Sequence, residues 1–212
     1  MRICAISPLE SATKSEILSL ISTLDHDLIV LPGWAKNHPD PMSLAKELNR
    51  NSYAFVETKG KKRVGVPSLV TNETYLSMPP QVFIDSPSAK DLDSLQSIWT
   101  SRTHKICNAN ISFAICGEID AFQKDGKAKM GRNFPFEILI NPTHTTRGRW
   151  NHLGEKLNNL SRNTVVVHVA NNDYGHHEIT THIRIYKNKK IMPVVNSGGI
   201  SYSECKNKLP RE

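Results

Sequence analysis

Two rhythms of apolar residues alternate along this chain. Arg2-Ile-Cys-Ala-Ile-Ser7 is a short, nearly continuous apolar run closed by Pro8, the pattern of a buried strand. Ile17, Leu18, Ile21 and Leu24 then recur at helical spacing behind Thr13-x-x-Glu16, which has the spacing of a capping box. The pattern predicts a strand, an amphipathic helix over 13–24, and a second strand in Asp27-Leu-Ile-Val-Leu-Pro32. A wholly apolar strand close behind a helix points to a β-α-β unit with that strand buried on both faces. Asp40-Pro41 predicts the next helix start, with a carboxylate cap and proline at the first helical position, running through Leu44, Ala45 and Leu48.

Further along, 54–58 predicts a strand and Lys59-Gly-Lys-Lys-Arg63 a basic turn. Segments 63–70, 74–78 and 81–85 predict short strands separated by Asn72 and Pro79-Pro80. Residues 106–115 read as one long strand, with Cys107, Ala109, Ile111, Phe113 and Ile115 on one face. A Lys/Gly-rich loop at 123–133 precedes a strand at 136–141, a helix at 150–160 and a valine-rich strand at 164–170. From about residue 173 the chain predicts a β-rich, basic C-terminal region. No repeat or Pro/Gly/Ser linker divides it, so 1–212 is expected to form a single α/β domain.

Composition narrows the classes. The 212 residues carry 27 Lys and Arg against 20 Asp and Glu, a net charge of +7. No run approaches the roughly 18 apolar residues of a membrane span, and the N-terminal run is short for a secretory signal. No membrane association and a cytoplasmic location are therefore expected. Cys4, Cys107, Cys116 and Cys205 lack Cys-x-x-Cys spacing, which argues against a disulfide scaffold or zinc ribbon. Cys4 and Cys107, placed within strands, are expected in the core, and Cys205, in a basic tail, at the surface.

The chemistry concentrates at three strand ends: Leu28-Ile-Val-Leu-Pro-Gly-Trp34, Ile111-Ser-Phe-Ala-Ile-Cys-Gly-Glu-Ile119 and Phe136-Glu-Ile-Leu-Ile-Asn-Pro-Thr-His144. Ligands of α/β sheets gather beyond the carboxyl ends of strands. A cysteine at such an end, followed at once by Gly117, sets a thiol at a sharp turn. Backbone amides after it can face a substrate carbonyl, the requirement of acyl transfer.

In their order, Ile115-Cys-Gly-Glu118, Leu139-Ile-Asn-Pro142, Trp150 and Val165-Val-Val-His-Val-Ala-Asn171 resemble the nitrilase superfamily of carbon–nitrogen hydrolases over most of the chain. The resemblance implies a four-layer α-β-β-α sandwich, a homodimer, and hydrolysis of a non-peptide C–N bond in an amide-like small molecule through a Cys116 acyl-enzyme. It implies no metal and no cofactor. The family's machinery is a Glu, Lys and Cys triad. Here the carboxylate position holds Gly33, and the lysine position falls on Pro80, or on Gln81 with a one-residue slip. Both supporting roles look vacant unless Glu118, Lys90, Lys105 or a histidine is recruited.

By this reading Cys116 and Glu118 are the catalytic candidates, and Gly33, Trp34, Gln81, Gly117, Asn141 and His144 line the substrate site. Two alternatives remain. One is a non-catalytic pseudoenzyme scaffold that binds a small molecule or protein, which the substitutions at Gly33 and Pro80 or Gln81 favour. The other is a basic nucleic-acid-binding protein, for which the net charge speaks but no recognition motif does. Adjacent His176 and His177, with His182, lack metal-ligand spacing, and Gly198-Gly199 reads as a turn between strands.

Overall fold

The computed structural model describes residues 1–60, 65–144, 150–171, 182–197 and 199–207. Two sheets carry the fold. The first contains β1 (Arg2–Pro8), β2 (Leu28–Val30), β3 (Tyr53–Lys59), β4 (Gly65–Thr71), β5 (Tyr75–Ser77), β12 (Val194–Ser197) and β13 (Ile200–Lys206) in the order β12-β13-β1-β2-β3-β4-β5. The second contains β6 (Thr103–Ile106), β7 (Ala109–Phe113), β8 (Ile138–Thr143), β9 (Val165–Ala170), β10 (Ile183–Lys187) and β11 (Lys190–Ile191) in the order β11-β10-β9-β8-β7-β6.

Period-two side-chain placement explains why the sheets stack. Ile3 and Ala5 of β1, Val30 of β2 and Phe55 of β3 share one core with Ile111, Ile140 and Val167 of the second sheet. Phe55 and Phe113 meet across it with ring centroids 5.1 Å apart. The intervening residues point outward: Cys4, Ile6, Ile29 and Val56 pack with α1 (Lys14–Thr23) and α2 (Pro41–Glu47). On the far side, Leu139 and Val166 pack with α3 (Ala89–Ile98) and α4 (Trp150–Leu160). Each central strand is therefore apolar on both faces, and the layers run α-β-β-α as expected.

The caps read from the sequence are present. Thr13 and Glu16 form the reciprocal capping box of α1, and Asp40 caps α2 ahead of Pro41. Ser88 and Asp91 form a second capping box on α3, a helix the apolar pattern did not reveal. Its stripe is sparse, resting on Leu92 and Leu95 as its buried residues.

Four expectations are corrected. The long strand at 106–115 is a hairpin, β6 and β7, because Cys107 and Asn108 take φ of 47° and 63°. Two consecutive left-handed residues make a two-residue turn whose twist suits a hairpin, and Cys107, expected in the core, is instead exposed at its tip. Segment 81–85 is not a strand, since the Val82 amide is spent on the Glu118 carboxylate at 2.6 Å rather than on a ladder. Cys205 is buried, not peripheral: β13 lies between β12 and β1, and Cys205 faces the inter-sheet core opposite Ile3. Residues 61–63, His176, His177 and Gly198 lie outside the described residues.

Candidate active site

Parallel pairing of β7, β8 and β9 delivers three strand ends to one place. Cys116 follows β7, His144 follows β8, and Asn171 follows β9. The chain reverses at Cys116 with φ of 49°, a left-handed conformation that costs a β-substituted residue energy and clusters at functional sites. Gly117 makes the turn possible, because a β-carbon there would fall 1.4 Å from the Ile84 carbonyl oxygen.

Asn141 holds this elbow from β8. Its side-chain amide donates to the carbonyls of Ala114 (2.6 Å) and Cys116 (3.0 Å), while its oxygen meets His168 Nδ1 at 2.7 Å. Burial drives His168 down to about 3, so its ring is neutral and its Nδ1–H donates to that oxygen. Below the elbow, Glu118 is fully buried and grips Arg102 at 2.9 and 3.2 Å. It also accepts from the amides of Ile115 (2.7 Å) and Val82 (2.6 Å). Burial pushes its carboxyl up from the ordinary range, opposed by Arg102 and these donors. Arg102 in turn donates to the carbonyls of Phe113 (3.2 Å) and Pro80 (2.6 Å). Glu118 is thus committed to fastening 80–82 against the elbow and does not line the pocket.

The group beside the sulfur is His144. Its ring bonds Cys116 on one side, and its Nε2 stands 3.1 Å from Glu57 Oε2 on the other. With Nε2 facing Glu57, Nδ1 is the nitrogen left for the thiol. Glu57 is buried at the inward-facing end of β3, where it also accepts from the Trp34 amide at 2.9 Å. Gly65 on the next strand leaves the carboxylate room. The electrostatics agree with this chain of contacts. Hydrogen bonds to Cys116 and then to Glu57 raise His144 to about 10 despite burial. Burial opposes ionisation of Cys116, but bonds to the His144 ring and amide and to the Gly117 amide prevail, and the thiol is lowered. Neighbouring His38 goes the other way, to about 3, through burial and the His144 charge.

Gly33 explains how the histidine fits. A β-carbon at Gly33 would lie 2.7 Å from the His144 nitrogen and 2.9 Å from its Cγ. The space left by the missing side chain is filled by His144, and Gly33 N–H bonds the Thr143 carbonyl at 2.9 Å. Asn171 secures the same loop, donating to the carbonyls of Gly33 (2.8 Å) and Trp34 (3.1 Å).

Cys116, Gly117, Gln81, Asn141 and His144 line one pocket of about 300 Å³, together with Ile84, Leu153 and Lys156. Lys156 pairs with Asp120 in its wall. Trp34 lies instead on a second cavity of about 310 Å³, with Lys59 and the other flank of His144. Glu57 went unnoticed in the sequence, although Tyr53, Phe55 and Glu57 share one face of β3 and an acid on a core-facing position is a signal. The basic segments are partly neutralised locally, as Arg132 with Asp93 at 2.7 Å shows.

A face-to-face pair of sheets flanked by helices, with a cysteine at a strand-end turn, is the sandwich of the carbon–nitrogen hydrolases, and this chain has the nitrilase-superfamily fold. An amidase of the nitrilase superfamily from Nesterenkonia superposes with a TM-score of 0.60 at 10% identity, covering 97% of this chain and 90% of that one. A CN-hydrolase superfamily protein of Xanthomonas campestris, with an arsenic adduct in its active site, gives 0.58 at 8% identity over the same shares. The glutamine-dependent NAD+ synthetase of Acinetobacter baumannii gives 0.57 at 10% identity, with 97% of this chain covering 46% of that one. No protein-family model and no curated protein matches the sequence.

Proposed function

We propose that this protein is a thiol hydrolase of small amides in which Cys116, His144 and Glu57 replace the family's Glu, Lys and Cys arrangement. The observation that carries the reading is the continuous contact from the Cys116 sulfur through the His144 ring to the buried Glu57 carboxylate. A free thiol is only a few per cent ionised at neutral pH, and a neighbouring imidazolium is the standard remedy. Here the lowered thiol and raised imidazole favour a thiolate–imidazolium pair before substrate arrives.

The thiolate attacks the amide carbon, and the C=O electrons move onto oxygen. The Gly117 amide, which bonds the sulfur before attack, and the second N–H of Gln81 Nε2, whose first is given to the Phe83 carbonyl at 2.6 Å, are the donors for that oxyanion, each worth about 10²–10³-fold in comparable sites. His144 Nδ1–H protonates the departing amine as the C–N bond breaks, leaving a thioester on Cys116. Neutral His144 then takes a proton from water, whose oxygen attacks the thioester. The carboxylic acid leaves and the ion pair is restored. Glu57 stabilises the imidazolium and fixes its ring, a positioning role.

A covalently bound acetamide on the active-site cysteine of a Nesterenkonia amidase variant supports the choice of probe. Treating the protein with 2-fluoroacetamide and mapping adducts by mass spectrometry tests the reading. Cys116 should be modified well ahead of the exposed Cys107, and His144→Ala should remove that preference. Equal labelling of the two cysteines, or a Cys116 that stays unmodified, overturns it. The pseudoenzyme alternative expects such an unassisted thiol.

A further inference from the structure

A second cluster of ligating side chains lies on the opposite face of the first sheet. Cys4 on β1 and Glu204 on β13 are directly paired residues of an antiparallel ladder, so their side chains share a face. His26 comes to the same face from the turn between α1 and β2. That turn is fixed by reciprocal bonds, the Arg2 N–H donating to the side-chain Oδ2 of Asp27 at 2.5 Å and the Asp27 N–H to the Arg2 carbonyl at 3.0 Å. The Cys4 sulfur, a His26 ring nitrogen and a Glu204 carboxylate oxygen all lie within 4.8 Å of one another. His26 Nε2 is 3.1 Å from Glu204 Oε1, while its Nδ1 is buried with no hydrogen-bond partner.

We propose that Cys4, His26 and Glu204 form a binding site for a zinc-like divalent ion that staples β1, the α1–β2 turn and β13. One thiolate, one imidazole and one carboxylate are a three-ligand zinc set, with water as the fourth ligand. Zinc bonds of about 2.0–2.3 Å place tetrahedral ligand atoms about 3.3–3.8 Å apart. The present spacing therefore needs a contraction of at most about 1.5 Å. Glu204 can supply it, since its side chain is half exposed and offers the ion its way in. Asp25 and Asp27 stand beside His26, and the nearby Arg2 is itself held by Asp25 at 2.7 Å.

To ligate, the Cys4 thiol must lose its proton. Burial and the Glu204 charge push the Cys4 thiol up. The ion reverses this: a metal–sulfur bond forms as the S–H bond breaks, and the proton leaves to water. A ligand that binds only the folded chain raises its stability, and this one would tie the first strand to the last.

Cobalt(II) and zinc titrations of the full chain test the proposal in a Cys116→Ser background, which removes the pocket thiol as a competing ligand. One equivalent of cobalt should give a thiolate charge-transfer band, and zinc should displace it and raise Tm by a few °C. His26→Ala should abolish the band and Glu204→Ala should weaken cobalt binding at least tenfold. Glu204 is half exposed and His26 lies in a turn rather than a strand, so folding should survive, whereas Cys4→Ser disturbs the core. Absence of a band at stoichiometric cobalt, or a band that persists in His26→Ala, overturns the assignment. Because Cys116 is absent throughout, neither result bears on the amidase reading.

Discussion

Glu57 and His144 belong to different sheets, yet the carboxylate on β3 and the imidazole beyond β8 approach to 3.1 Å. The contact joins a buried acid, through the imidazole, to the sulfur of Cys116. Gly33 is its precondition, because any side chain at the end of β2 would occupy the volume of the imidazole.

The alkylation rate of Cys116 should therefore depend on pH in a way an isolated thiol does not. The thiol is lowered, so the thiolate persists to below the ordinary thiol range, and the imidazolium persists to about 10. Turnover should rise as pH passes the lowered thiol value, hold a plateau, and fall as His144 loses its proton near 10. An iodoacetamide rate profile for the acid limb and an amide-hydrolysis profile for the alkaline limb measure both.

Glu57→Gln should preserve the shape of the site while removing the charge beside the ring. General-base assistance, which His144 supplies, is typically worth about 10²–10⁴-fold, and loss of the group that holds that base should lower kcat by no more than this. The alkaline limb should move to lower pH, a shift that a purely structural role would not produce. Stability carries the same sign. A His raised in the folded state contributes stability that is full below its unfolded value near 6.5 and is lost as pH rises through about 10. The wild-type advantage over Glu57→Gln in denaturant titrations should accordingly shrink between those values.

Gly33→Ala should be more damaging than its size suggests. The new methyl group would meet the His144 backbone at 2.7 Å and its ring at 2.9 Å, so the ring must move off the sulfur. Fluoroacetamide labelling of Cys116 should fall towards that of Cys107. Gly33→Glu should not revive the family's own arrangement, since the larger side chain displaces the histidine as well.

Glu118→Ala tests the support under the elbow. Removing one partner of a buried ion pair costs about 3–5 kcal/mol, because the other charge is left without compensation. Chemical denaturation should show a loss of that order. Pairing the change with Arg102→Met should recover part of it, and a double-mutant cycle measures the coupling.

The legible part of this protein was the part written in local periodicity. Thr13 with Glu16, and Asp40 before Pro41, cap their helices as expected. Strands β1, β2, β3, β8 and β9 alternate between an inter-sheet and a helix-covered face. Failures came where a few residues reset the rhythm: two left-handed residues turned one strand into a hairpin, and one carboxylate drew the Val82 amide out of any ladder.

The sequence by itself determined which strand faces are apolar and that Cys116 and His144 each follow a strand end, the four layers being implied only by the family resemblance. Both follow from short-range rules of side-chain direction and capping. Which groups serve the thiol was decided by tertiary structure alone. Glu118, near in sequence, is drawn into the Arg102 pair, while Glu57, distant in sequence, is brought to His144 by the stacking of the two sheets. A strand pattern fixes the face on which a charge lies; only the packing of one sheet against the other fixes the charge it will meet.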